Sequence, residues 1–166
     1  MSFSLMLDHY LQSPRAVVVL IIASLLIVGA AAASQYIGGL APCVLCWYQR
    51  VPYAAVIVIG VTGLLYPRVT GQALAIAAIT FAIGGLIAVF HVGVEQSWWQ
   101  GTQACVGDTS PTATIDDLRK QIMAAPIVRC NDVQWSLFGV SMAGYNVLAS
   151  FLLTAFAAVA AYRARS

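Results

Sequence analysis

The chain has 166 residues, 61% of them hydrophobic and only 8% charged, with a net charge of +2. A soluble domain carries roughly a quarter of its residues as charged groups, so much of this surface must face lipid rather than water. The small net charge and the lack of a basic cluster exclude a nucleic-acid binder, and the length suits one domain.

Apolar runs predict membrane spans over residues 16–33, 47–66, 72–91 and 140–161. At ~1.5 Å per residue, a run of about 20 residues crosses a hydrocarbon core ~30 Å thick. The first run is interrupted only by Ser24 and ends in small residues through Ser34, in the manner of a signal-peptidase site. Its leader is long, contains Asp8 and offers only Arg15 as a basic residue, so the run reads as a retained span. Gly60, Gly63, Gly84 and Gly85 suit close helix–helix contact in the second and third spans. Lipid offers backbone groups no partners, so each span should be a helix. The expected fold is an all-α integral membrane protein: a single four-helix bundle with two extracytoplasmic loops at about 34–46 and 92–139.

Arginines set the orientation. Arg15, Arg68, Arg163 and Arg165 flank one set of span ends, whereas the first loop carries only Arg50. The long loop has Arg119, Lys120 and Arg129 beside Glu95, Asp108, Asp116, Asp117 and Asp132. Basic residues in short segments dominate topology, which places both termini in the cytoplasm and both loops outside. Within the long loop, Thr114-Ile115-Asp116-Asp117 reads as a helix N-cap with an acid at its third helical position. Ile115, Leu118 and Ile122 then form an apolar stripe. This short amphipathic helix would lie either flat on the membrane or against the bundle.

All four cysteines fall in these loops: Cys43 and Cys46 in the first, Cys105 and Cys130 in the second. Two inert disulfides are one reading, since an oxidising compartment favours them. A four-cysteine zinc centre is disfavoured because the second pair lacks close spacing, and no histidine follows Cys46 as covalent haem attachment requires. The Cys-x-x-Cys spacing favours redox activity, because a nearby cation or helix N-terminus activates one thiol of such a pair. Arg50 lies four residues beyond Cys46. Pro52 leaves two possibilities: the second helix starts near Val51, or it starts earlier and bends.

The stretch Pro42-Cys43-Val44-Leu45-Cys46-Trp47-Tyr48-Gln49-Arg50 resembles the signature of the bacterial disulfide bond formation protein B (DsbB) family. The wider pair Cys105 and Cys130, and His91-Val92-Gly93-Val94-Glu95 followed by Trp98-Trp99, are similar to the same family. Arg50-Val51-Pro52-Tyr53 departs from some members. The resemblance implies a quinone-dependent thiol oxidase in the bacterial inner membrane, with its cysteine loops periplasmic. A reduced DsbA-like thioredoxin-fold partner would attack Cys105 of a Cys105–Cys130 disulfide. Cys130 would exchange with Cys43, and Cys46 would face ubiquinone or menaquinone, with Arg50 stabilising negative charge. No metal is implied. A related thiol oxidoreductase, similar to the vitamin K epoxide reductase-like proteins, and a non-enzymatic scaffold are the alternatives.

Other residues have ordinary readings beside functional ones. Trp47, Trp98, Trp99 and Trp135 suit headgroup anchoring, and Trp47 adjoins Cys46 closely enough to line a quinone site. His91 is either an interfacial hydrogen-bonding residue or a proton relay or quinone-oxygen donor. Glu95 lies one turn further on, and Asn146 reads as helix–helix glue. His9 carries no functional argument.

Overall fold

The computed structural model describes residues 13–106, 114–124 and 128–165. Asp8, His9 and Asp108 lie outside them. Among the described residues, four helices are long and apolar enough to cross a membrane: α1 (Ser13–Tyr36), α2 (Val44–Leu65), α3 (Thr70–Glu95) and α6 (Met142–Arg163). Between α3 and α6 lie two short helices, α4 (Gln103–Val106) and α5 (Ile115–Ala124). A hairpin of β1 (Ser136–Leu137) and β2 (Val140–Ser141) then leads into α6. The chain is thus the expected four-helix membrane bundle.

Most helix boundaries lie outside the predicted spans, for local reasons. The second helix starts at Val44 because Cys43 caps it, its sulfur accepting from Cys46 N at 3.2 Å. Pro52 therefore sits inside α2, where it packs on α3: a Cβ at Gly84 would lie 3.1 Å from the proline ring. Pro67 opens a single 3₁₀ turn, which the Thr70 N–H closes by donating to Pro67 O, and the Thr70 hydroxyl donates back to Gly63 O of α2 at 2.8 Å. The third helix runs a turn past His91, carrying Glu95 with it. The fourth begins at Met142 rather than residue 140, since Val140 and Ser141 belong to the hairpin. Phe138 and Gly139 form its two-residue loop with φ of 50° and 77°, the left-handed pair that a tight hairpin needs.

The bundle is organised around α3, which packs against α6 and α2, while α1 leans on α2. The main core between the spans joins Val17, Leu20, Tyr53, Val56, Phe81 and Ala157. A second cluster, where α2 begins and α3 ends, contains Cys43, Leu45, Val94, Cys105 and Cys130. Leu26, Leu65, Ile79, Leu86 and Leu152 point outward from the four spans, as a lipid-facing surface requires. The α5 helix forms where its cap predicts, with Asp117 N donating to Thr114 Oγ1 at 3.1 Å. Ile115 and Ile122 are 86% and 64% exposed, so its apolar stripe is not packed on the bundle.

Candidate functional site

Helix α2 begins at the site because its first residues are the Cys-x-x-Cys segment. Capping places Cys43 at the helix entrance and Cys46 one turn inside, with the two sulfurs 2.8 Å apart. A disulfide needs ~2.05 Å, so closing the pair requires under an ångström of motion. Its hydrogen bond with Cys46 and its burial push the Cys43 thiol up from the ordinary cysteine range. Either sulfur can donate in the contact between them.

Cys105 and Cys130 form a disulfide with a Cα–Cα distance of 5.0 Å, and both are buried in the same cluster as Cys43. Cys130 N donates to Cys105 O at 3.1 Å, which joins the two backbone segments beside the bond. The two cysteine pairs, read as separate loop features in the sequence, meet in one place.

His91 joins them. Its Nδ1 lies 2.6 Å from Gln49 Nε2, while Nε2 lies 3.2 Å from Cys130 O and 3.6 Å from Cys43 Sγ. With the Gln49 amide donating to Nδ1, the ring proton sits on Nε2 and is given to the Cys130 carbonyl. Glu95 Oε1 is 3.9 Å from the same nitrogen, and its other oxygen accepts from Ser141 Oγ, the cap of α6, at 2.5 Å. The ring is buried, and the bonds it makes combine the interfacial role with a position beside the thiols.

Behind His91 runs a polar chain that sequence reasoning largely missed. Asn146 Nδ2 donates to Gln49 Oε1 at 2.5 Å, the Tyr53 hydroxyl donates to Asn146 Oδ1, and Ser150 Oγ lies 2.8 Å from the same hydroxyl. Asn146 is the helix–helix link expected of it, between α6 and α2. The available signal was spacing: Gln49 with Tyr53, and Asn146 with Ser150, each place two polar groups on one helix face at i, i+4.

Arg50 turns the other way, toward α1. Nη1 donates to Gln35 Oε1 at 2.8 Å and Nη2 to Ala31 O at 3.1 Å. The guanidinium carbon lies 4.7 Å over the Trp47 ring. Trp47 thus supports Arg50 rather than lining the neighbouring cavity. That cavity, about 520 Å³, lies between α1, α2 and α6 and reaches Cys46, Arg50 and His91. Its remaining wall is largely apolar, with Ile27, Val28, Ala30, Met142 and Ala149 among its residues. Of the other tryptophans, Trp99 folds back on α3, stacking on Phe90 at 5.8 Å and donating to Phe90 O at 2.9 Å.

Residues 13–160 match the family described as Disulfide bond formation protein DsbB. The chain belongs to the DsbB family. Disulfide bond formation protein B of Haemophilus influenzae is 32% identical over 117 residues, covering 69% of this chain and 66% of that protein. Disulfide bond formation protein B 2 of Pseudomonas aeruginosa is 28% identical over 138 residues, covering 80% and 81%. An uncharacterized protein of Rickettsia prowazekii is 28% identical over 140 residues, covering 83% and 81%. No solved structure matches the chain. It is a multi-pass membrane protein of a family that forms disulfide bonds.

Proposed function

We propose that this DsbB-family protein is a quinone-dependent thiol oxidase that reoxidises a periplasmic DsbA-like thioredoxin-fold protein. The observation carrying the proposal is the placement of Cys46 and Arg50 on an apolar cavity, while Cys43 contacts the cluster holding the Cys105–Cys130 disulfide. One pair thereby meets a membrane-side chamber and the other a protein-facing loop.

The residues divide the work. A partner thiolate attacks Cys105, breaking its bond to Cys130 and forming a mixed disulfide that the partner's second thiol resolves. The partner leaves oxidised, and Cys105 and Cys130 hold two electrons as thiols. Cys130 then exchanges with the oxidised Cys43–Cys46 pair at Cys43, and Cys105 resolves the inter-loop bond, which re-forms Cys105–Cys130. Cys43 and Cys46 are left as the dithiol. Ubiquinone or menaquinone in the cavity supplies the acceptor for two electrons and two protons. Arg50 holds positive charge beside Cys46, where negative charge develops during thiol oxidation.

The positions of Arg68 and Arg165 at one end of the bundle support a bacterial inner-membrane orientation with that end cytoplasmic. The decisive experiment mixes the purified protein with a reduced thioredoxin-fold oxidant and follows quinone absorbance. Catalytic loss of the quinone band that needs both proteins supports the proposal, and an unchanged band with intact, folded protein refutes it. Burial of Cys105–Cys130 favours a second reading, a structural staple. Thiol counting after incubation with the reduced thioredoxin-fold partner separates the two, since a staple stays oxidised and an exchanging pair is reduced.

A further inference from the structure

Sequence spacing argues against a four-cysteine zinc centre, but the fold assembles a different donor set. Cys43 Sγ, Cys46 Sγ and one His91 ring nitrogen all lie within 4.8 Å of one another. They come from the N-cap and first turn of α2 and from α3, so the ends of two packed helices hold them. We propose that the reduced Cys43–Cys46 dithiol and His91 bind a thiophilic divalent cation such as Zn²⁺, which withholds the pair from thiol–disulfide exchange. The binding stands apart from the proposed reaction, and only its inhibitory consequence rests on that reading.

The geometry already approaches what the cation needs. Zinc bonds of ~2.3 Å to sulfur and ~2.05 Å to nitrogen at a tetrahedral angle separate those ligand atoms by ~3.6 Å. The Cys43 Sγ to His91 Nε2 distance is 3.6 Å. The two sulfurs, at 2.8 Å, must open to ~3.8 Å. Cys46 makes that move, because it is only half-buried and borders the cavity. The cavity side also leaves a fourth coordination position open. Glu95 Oε1, 3.9 Å from His91 Nε2, adds a nearby carboxylate.

Charge and hydrogen bonding agree with this. Binding releases two thiol protons, and two thiolates with one divalent cation sum to zero, so the buried site gains no net charge. Ligation by Nε2 moves the imidazole proton to Nδ1, which then needs an acceptor of the kind that orients metal-binding histidines. Gln49 supplies it by reversing its amide. Asn146 reverses in turn, and the chain ends in the Tyr53 and Ser150 hydroxyls, which accept or donate equally well. Every side chain from Gln49 to Ser150 keeps a partner, and the Cys130 carbonyl alone gives up its His91 donor.

The test uses full-length protein carrying Cys105→Ser and Cys130→Ser in detergent, reduced and then freed of reductant. Co²⁺ is added as a spectroscopic probe and displaced by Zn²⁺ against a competing chelator. We expect one equivalent per chain in the reduced protein, with thiolate charge-transfer and tetrahedral visible bands, and none after oxidation of Cys43 and Cys46. His91→Ala should weaken Zn²⁺ binding about tenfold or more and change the visible bands. Equal binding by oxidised and reduced protein overturns the proposal, as does equal affinity in a folded His91→Ala variant. The oxidised–reduced comparison needs no change at His91, so it decides the matter even if that variant fails to fold.

Discussion

Replacing Arg50 by alanine tests the division between folding and chemistry most directly. The side chain makes two charge-assisted hydrogen bonds to α1, to Gln35 Oε1 and Ala31 O, and rests on Trp47. Fully buried bonds of this kind are worth ~1.5–3 kcal/mol each. Here the group borders an open cavity, where water takes over part of the bonding, so the stability loss should be about 1–2 kcal/mol. Removing a positive group from a site of developing negative charge costs catalysis ~2–4 kcal/mol. At ~1.36 kcal/mol per tenfold, that is about 30- to 900-fold in kcat/KM for quinone. Arg50→Lys should fall between, because it keeps the charge and loses the planar fork that spans both acceptors. The assay pairs quinone absorbance kinetics with thermal unfolding in detergent. A folded Arg50→Ala protein with quinone kinetics within about twofold of the parent would refute the electrostatic role.

Three further outcomes are expected. A thioredoxin-fold partner lacking its resolving cysteine should form a reductant-sensitive complex that disappears in Cys105→Ser and persists in Cys46→Ser; mass spectrometry locating the bond at Cys43 or Cys46 would reverse the assigned electron flow. Asn146→Leu takes away the donor to Gln49 Oε1 while the Tyr53 hydroxyl keeps Ser150 Oγ, so it should destabilise by ~1–3 kcal/mol, read as a lower unfolding midpoint; an unchanged midpoint would show that the chain contributes nothing to packing. A reporter fused after Arg165 should behave as cytoplasmic, while an impermeant thiol reagent should label reduced loop cysteines in spheroplasts; the opposite pattern inverts the topology.

The four spans were legible because lipid imposes a uniform demand on them: length, apolarity and satisfied backbone groups. Thr114 as a cap was legible too, since its hydrogen bond is local. What escaped was everything set by contacts between distant segments. His91, Gln49 and Asn146 sit on three different helices, and no spacing within one of them shows that their side chains meet. Pro52 left two helix starts open because the choice depends on Cys43 as a cap and on Gly84 making room for the ring. The hairpin before α6 uses Phe138-Gly139 in place of the usual Asn-Gly, so its turn signal was weak. The meeting of the two cysteine pairs is likewise a tertiary fact.

Cys105 and Cys130 are 0% and 1% exposed, although their loop is the polar one. Any soluble thiol that reduces this disulfide must wait for the segment around it to lift away from Cys43 and Val94. Under the proposed function, the frequency of that opening is a ceiling on turnover that no excess of electron acceptor can raise. The same closure is insulation: small thiols meet a sealed bond for as long as the loop rests on the bundle. Selectivity among reductants thus becomes a matter of which protein surface can hold the loop open.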